Sequence, residues 1–172
     1  LIDCQNEYVS GALPLDGVEA ALERLGALLA RARAAGTPIV HIRHKGRAGG
    51  PFDLAQARGA VHAAVAPRDG EIVIDKGLPN SFAGTTLHAE LQKLGRNNLI
   101  LTGFQTHMCV SATVRSALDH GYRSTVVADC CATRALPDRK GGTVSAQTLH
   151  EATLAALADR FAVVVERDEE LS

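Results

Sequence analysis

The chain has 172 residues, 46% of them hydrophobic, and a formal net charge of −1, which suits one compact domain over residues 1–172 with a sizeable core. A near-neutral balance with scattered basic residues excludes the electrostatic footprint of a nucleic-acid binder or of a protein drawn to anionic membranes, and no apolar run approaches the roughly 20 residues of a membrane span. What remains is a small-molecule partner or a protein surface, and, since no basic, apolar, small-residue leader pattern opens the sequence, a cytoplasmic location.

Taken in chain order, apolar strand-like runs alternate with helical patterns. Leu1 to Cys4 reads as a strand that is truncated at its start, because only two residues precede the acidic position that ends it. A helix over Val18 to Ala34 and a strand over Pro38 to Arg43 follow, then a long loop, a strand over Glu71 to Ile74 and a helix over Thr86 to Leu94. The second half repeats the alternation: strand Asn98 to Thr102, helix Cys109 to His120, strand Arg123 to Ala128, helix Thr143 to Leu157 and strand Phe161 to Val165. Short continuous Val/Ile/Leu runs mean strands buried on both faces, and the βα alternation calls for a mostly parallel sheet between two helical layers, an α/β/α sandwich. Gly36, Gly95 and Gly121 fall just past helical segments, where a left-handed cap is needed. The stretches Lys45 to Gly70 and Asp129 to Gly142 follow strands and are rich in Gly, Pro or charge. Ligands of open α/β sheets bind beyond the carboxyl ends of strands, so both stretches are candidate site walls.

Three ionisable residues stand at those carboxyl ends: Asp3, Lys76 in Ile72-Val-Ile-Asp-Lys76, and Cys109 one short turn after Leu101. Gly103 ends the strand, and Thr106 or His107 opens a helix whose apolar face carries Val110, Val114, Ala117 and Leu118. The unpaired N–H groups and positive dipole of that helix start are expected to lower the pKa of the Cys109 thiol and to offer donors to an oxyanion. A thiol needs a base, a carboxylate serves as one, and a nearby ammonium steadies the developing anions. Cys4 reads as core, and Cys130 and Cys131 as strand-end packing rather than a redox pair. No CxxC or zinc-ligand spacing occurs, so neither a disulfide framework nor a structural zinc is indicated. The glycines at 46, 49 and 50 form no GxGxxG or Walker pattern, which removes any dinucleotide or phosphate-loop reading.

Leu1-Ile-Asp-x-Gln-Asn6, Asp75-Lys76 followed by Ser81-Phe82, and Gly103-Phe-Gln-Thr-x-x-Cys109-Val-x-x-Thr113, in this order, resemble the isochorismatase-like cysteine hydrolase superfamily, which includes nicotinamidases, N-carbamoylsarcosine amidases and ureidoacrylate amidases. The resemblance covers essentially the whole chain. It implies a Rossmann-like six-stranded sheet in the order 3-2-1-4-5-6, a homo-oligomer (dimer or larger), and Asp3 as general base and acid, Lys76 as its electrostatic partner and Cys109 as nucleophile. It also implies a cis peptide at Phe104-Gln105 and an oxyanion hole from the Gln105 and Cys109 N–H groups. Gln5, Tyr8, Ser81, Phe82, Phe104 and Gln105 flank these positions on strand-end loops and are the candidates for substrate contact. His107 is too close in sequence to turn its ring onto the thiol.

One departure from the family bears on cofactors. Nicotinamidases bind a divalent metal through an Asp-x-His pair and a further histidine, whereas this chain has His41-Ile-Arg-His44, whose histidines point to opposite faces of a strand. The expectation is therefore a cofactor-independent enzyme without a metal, cleaving a C–N bond of a small amide, carbamoyl or ureido substrate through a thioester. The alternatives are an isochorismatase-type vinyl-ether hydrolase in which Cys109 is incidental, and a catalytically idle module that binds a metabolite or serves assembly.

Overall fold

The structure is a computed structural model, and residues 1–171 are described. In chain order its main elements are α1 (Val18–Ala34), β1 (Val40–His44), β2 (Ile72–Lys76), α2 (Leu87–Leu94), β3 (Asn98–Phe104), α3 (Ser111–Asp119), β4 (Arg123–Ala132), β5 (Leu136–Pro137), β6 (Thr143–Val144), α4 (Ala146–Arg160) and β7 (Ala162–Val165). β1 pairs with β2, and β4 pairs with β3 and β7, all in parallel. The fold is α/β, with apolar helix faces on both sides of the strands. On one side Leu87 and Leu91 of α2, Val114 and Ala117 of α3 and Leu154 and Leu157 of α4 pack on Ile42, Ile74, Leu101 and Val126. On the other, Leu22, Leu25 and Leu29 of α1 cover Cys4, Phe104, Val127 and Cys130.

The expected six-stranded sheet is instead two ladders, of two and three strands. Between them the first strand shrinks to a single bridging residue, Ile2, which pairs with Ile42 on one side and Gly103 on the other. The cause is local: Asp3 has φ of 52°, a left-handed conformation that breaks extended pairing and that Asp tolerates better than most residues. β3 bends beside it, with a register shift between Leu101 and Gly103. Gly103 is required there. Its φ is 116°, and a Cβ would lie 2.1 Å from the Ile2 carbonyl oxygen, so no side chain fits where the two segments touch.

Other boundaries moved for identifiable reasons. α4 starts at Ala146 rather than Thr143, because Ser145 caps it by accepting the Thr148 N–H at 3.1 Å. Thr143 and Val144 are used in an antiparallel pair with Leu136 and Pro137 that splits the expected 129–142 loop. β4 runs on past Ala128 to Ala132 and carries both vicinal cysteines into the interior. Among the described residues no helix is long and apolar enough to cross a membrane.

Candidate active site

Asp3, Lys76 and Cys109 meet. The burial of β2 alternates, with Ile74 and Lys76 inward and Val73 and Asp75 outward, so the lysine at the strand's carboxyl end points into the protein while Asp75 pairs with Arg43 at the surface. Lys76 Nζ lies 2.7 Å from Asp3 Oδ2 and 3.3 Å from Cys109 Sγ. The side chains of Asp3 and Lys76 are both fully excluded from solvent. The third neighbour of the ammonium is His44, whose Nδ1 is 3.3 Å away.

Cys109 is delivered by an irregular turn. The Phe104–Gln105 peptide is cis, and Thr106–Val110 forms one π-helical turn ahead of α3, a distortion that recurs at functional sites. The Gln105 carbonyl accepts the N–H groups of Met108 and Val110, at 3.0 and 3.2 Å, and skips that of Cys109 between them. The Gln105 N–H itself donates to no group among the described residues.

The thiol is not acidified. Burial, and then the neighbouring Asp3 carboxylate, push the Cys109 thiol up to about 12 against the pull of Lys76, reversing the expectation from the helix dipole. Burial likewise holds the Asp3 carboxyl above its usual 3.8 despite Lys76. In an enclosed site, desolvation of the charged form outweighs a partial charge at a helix end. The enclosure thus favours the protonated thiol. Alkylation of Cys109 by iodoacetamide, followed by mass spectrometry, is accordingly expected to be slow at pH 7 and still rising beyond pH 9, past the ordinary thiol value of about 8.5. A plateau below pH 8 would contradict this.

Several residues expected at the substrate have other work. Gln5 is a staple: its Nε2 donates to the carbonyls of His44 and Gly59, at 3.0 and 2.7 Å, and its Oε1 accepts the His44 N–H at 2.8 Å. Both its donors are spent on backbone. Ser81 binds Thr113 through its N–H and its Oγ, tying the loop after β2 to α3. Phe82 stacks with His120 and Tyr122, ring centroids 4.7 and 5.8 Å apart. Phe104 is fully buried in the core under α1. Tyr8 and Gln105 remain at the site. The Gln105 Nε2 is 3.5 Å from the Tyr8 hydroxyl, and its Oε1 is buried without a partner. Burial, then the charges of Asp3 and Cys109, raise the Tyr8 pKa.

His107 turns its Nδ1 to the Thr133 hydroxyl. Arg134, next in the chain and absent from the sequence-based candidates, has a buried Nε with no partner. Glu7 was also missed: fully buried, it accepts the N–H groups of Ala12 and Phe52 and lies 3.6 Å from Arg58, joining the first loop to the 45–62 loop. Its contacts with Phe52 and Arg58 span more than 40 residues, and no local pattern marks them.

The residues present do not fit the divalent metal of nicotinamidase relatives. His41 binds Glu71 at 2.9 Å while His44 faces Lys76, and among the described residues no group of three or more His, Cys, Asp or Glu side chains is placed to hold a metal ion. A cavity of about 480 Å³ lies elsewhere, at the amino ends of β1 and β3, and is lined by leucines such as Leu25, Leu91 and Leu99.

An isochorismatase of known structure from Pseudomonas putida superposes with a TM-score of 0.93 at 45% identity, over 96% of this chain and 84% of that one. A secreted isochorismatase effector of Verticillium dahliae is 36% identical over 96% of this chain and 85% of its own length, and the maleamate amidohydrolase of Pseudomonas putida is 32% identical over 98% and 82%. The isochorismatase domain model matches residues 1–169, and on that match and these identities the chain belongs to the isochorismatase family of hydrolases.

Proposed function

We propose that this protein is a cysteine hydrolase that cleaves the C–N bond of a small amide, carbamoyl or ureido substrate through a thioester. The observation that carries the reading is the buried ammonium of Lys76 seated between Asp3 Oδ2 and Cys109 Sγ. Asp3 takes the thiol proton as Sγ attacks the substrate carbonyl carbon, and the oxyanion forms against the Gln105 and Cys109 N–H groups. The C–N bond then breaks with the proton passing from Asp3 to the leaving amine or ammonia. Water, deprotonated by Asp3, attacks the thioester carbon, the acid departs, and the sulfur regains its proton from Asp3.

The raised pKa values of Asp3 and Cys109 fit this sequence, because both groups must carry a proton at some stage of the cycle. A thiolate formed ahead of substrate would be costly in this enclosed setting, so thiol deprotonation is concerted with attack. The amidohydrolase activity of the maleamate relative supports the reaction class. Tyr8 and Gln105 furnish the nearest polar groups for the substrate, and the small aromatic content of the chain limits stacking on a ring.

The test is a panel of simple amides, N-carbamoyl amines and ureido acids assayed for ammonia release, with the Cys109→Ala protein as blank. Release above the blank from at least one class is expected. Absence of Cys109-dependent release across all three classes would overturn the reading.

A further inference from the structure

We propose that His44 is a positioning residue of this site: its Nδ1 lone pair takes the third N–H of Lys76 and holds the ammonium between Asp3 and Cys109, and protonation of the ring releases that hold and switches the site off. The inference rests on the amidohydrolase reading for its kinetic consequences, but its structural content stands apart from it.

The argument begins with donors and acceptors. An ammonium has three N–H groups and no lone pair, so all three of its close neighbours have to accept. Asp3 Oδ2 at 2.7 Å and Cys109 Sγ at 3.3 Å do so. At 3.3 Å the Nδ1 of His44 does so only as a bare lone pair, which places the ring proton on Nε2 and makes the ring neutral. The pairing is set by the fold: His44 and Lys76 are partners in the parallel register of β1 and β2, the last pair of that ladder, so their side chains leave the sheet on the same face. The ring has little freedom to turn away. The His44 backbone is clamped at both its N–H and its carbonyl by the Gln5 amide, and the ring meets Phe52 edge-on at 5.1 Å. Phe52 is itself held by Glu7 through its N–H and packs on Tyr8 at 4.9 Å.

The other ring nitrogen faces outward. His44 is only half-buried, and Nε2 has no partner among the described residues, yet it is not among the unpartnered atoms sealed from solvent. His44 is therefore in contact with the buried ammonium at one nitrogen and with accessible space at the other, which is the path by which a proton from solvent reaches this side of the triad. The charged groups that face the ring are few. Lys76 from β2 opposes protonation and Asp3 favours it more weakly, while burial is the leading opposing effect. Phe52 from the 45–62 loop is neutral, and the adjacent Arg43 and Asp75 are paired with each other at the surface. An imidazolium here would set two positive charges 3.3 Å apart and remove the acceptor at once. Lys76 would shift from both of its other partners, and misplacement of a reacting group by about 1 Å costs on the order of 100-fold in rate.

The test uses three proteins: the parent, His44→Asn, whose side-chain oxygen offers an acceptor near Nδ1 and does not titrate, and His44→Leu, which offers none. On whichever substrate the ammonia-release panel identifies, His44→Leu is expected to lose about 100-fold in kcat with KM changed far less. His44→Asn is expected to keep activity within about 10-fold and to show a shallower acid limb in kcat/KM than the parent, the limb that remains being set by Asp3 alone. Full activity of His44→Leu, or an unchanged acid limb in His44→Asn, overturns the proposal. A readout independent of turnover is the ¹⁵N spectrum of histidine-labelled protein, with the His44 signals assigned by their absence in His44→Asn. Protonated Nε2 and bare Nδ1 at pH 7.5 are expected, and a proton on Nδ1 overturns the proposal even if no substrate is found. The expected tautomer in a protein that hydrolyses nothing would leave the positioning geometry standing and count against the amidohydrolase reading instead.

Discussion

Replacing Cys109 by Ala is expected to lower turnover by about four to six orders of magnitude while costing only about 1 kcal/mol of stability. The two effects separate because the thiol has one task in catalysis and a small one in packing. It sits 2% exposed in the core cluster that also holds Val110 and Val114, and losing one sulfur there leaves a void smaller than a leucine-to-alanine change does. Lys76 keeps Asp3 as its ion-pair partner and His44 as its second acceptor, so no buried charge is stranded. Catalysis has no such reserve, since without the sulfur no thioester forms and the remaining donors only bind the substrate. Cys109→Ser is expected to be nearly as inert, because a hydroxyl is a far weaker acid than the thiol. The measurements are ammonia release under saturating substrate and urea denaturation of both variants. Retained ammonia release in Cys109→Ala would remove the thioester from the reaction.

The parts of this site that sequence reading reached are those carried by local pattern. Asp3, Lys76 and Cys109 each follow an apolar strand run, and strand ends in an α/β sheet converge, so their meeting was predictable from position alone. α1 has the boundaries expected from its apolar periodicity, Val18–Ala34. What the pattern could not carry is which way a flanking side chain turns and which strands lie side by side. Gln5, Ser81, Phe82 and Phe104 neighbour site residues in sequence, but each is committed to backbone or core by partners tens of residues away. In the sequence His44 stands out only beside His41 as a metal ligand, because its register partner Lys76 is 32 residues distant and lateral register has no sequence signature. The raised pKa of Cys109 is hidden from the sequence for a related reason. A helix start is visible in sequence, whereas the enclosure that outweighs it is assembled from the first loop, β2 and the turn before α3.

The Asp3–Lys76 pair provides the second large effect, and its signature lies in how stability responds to pH. Both side chains are fully excluded from solvent and 2.7 Å apart, so removing either charge strands the other. Lys76→Met is expected to destabilise the fold by about 3–5 kcal/mol at neutral pH. The stranded Asp3 then has a folded-state pKa raised still further above its unfolded value of 3.8. Between those two values the folded protein holds a proton that the unfolded chain has lost, so stability falls as pH rises, by about 1.4 kcal/mol per unit. Lys76→Met is thus least impaired near pH 4. Asp3→Asn strands the Lys76 ammonium in the same way and is expected to lose a comparable amount of stability at neutral pH. The double variant Asp3→Asn/Lys76→Met buries no charge at all. Its stability is expected to exceed that of either single variant at pH 7, to match or exceed the parent's, and to lack the slope of Lys76→Met, while ammonia release stays absent in all three. Denaturant titrations at pH 4, 7 and 9 measure every quantity involved. Strictly additive destabilisation in the double variant would mean that the two charges do not depend on each other in the folded protein, and Lys76 would then have no claim to hold the carboxylate ionised for attack.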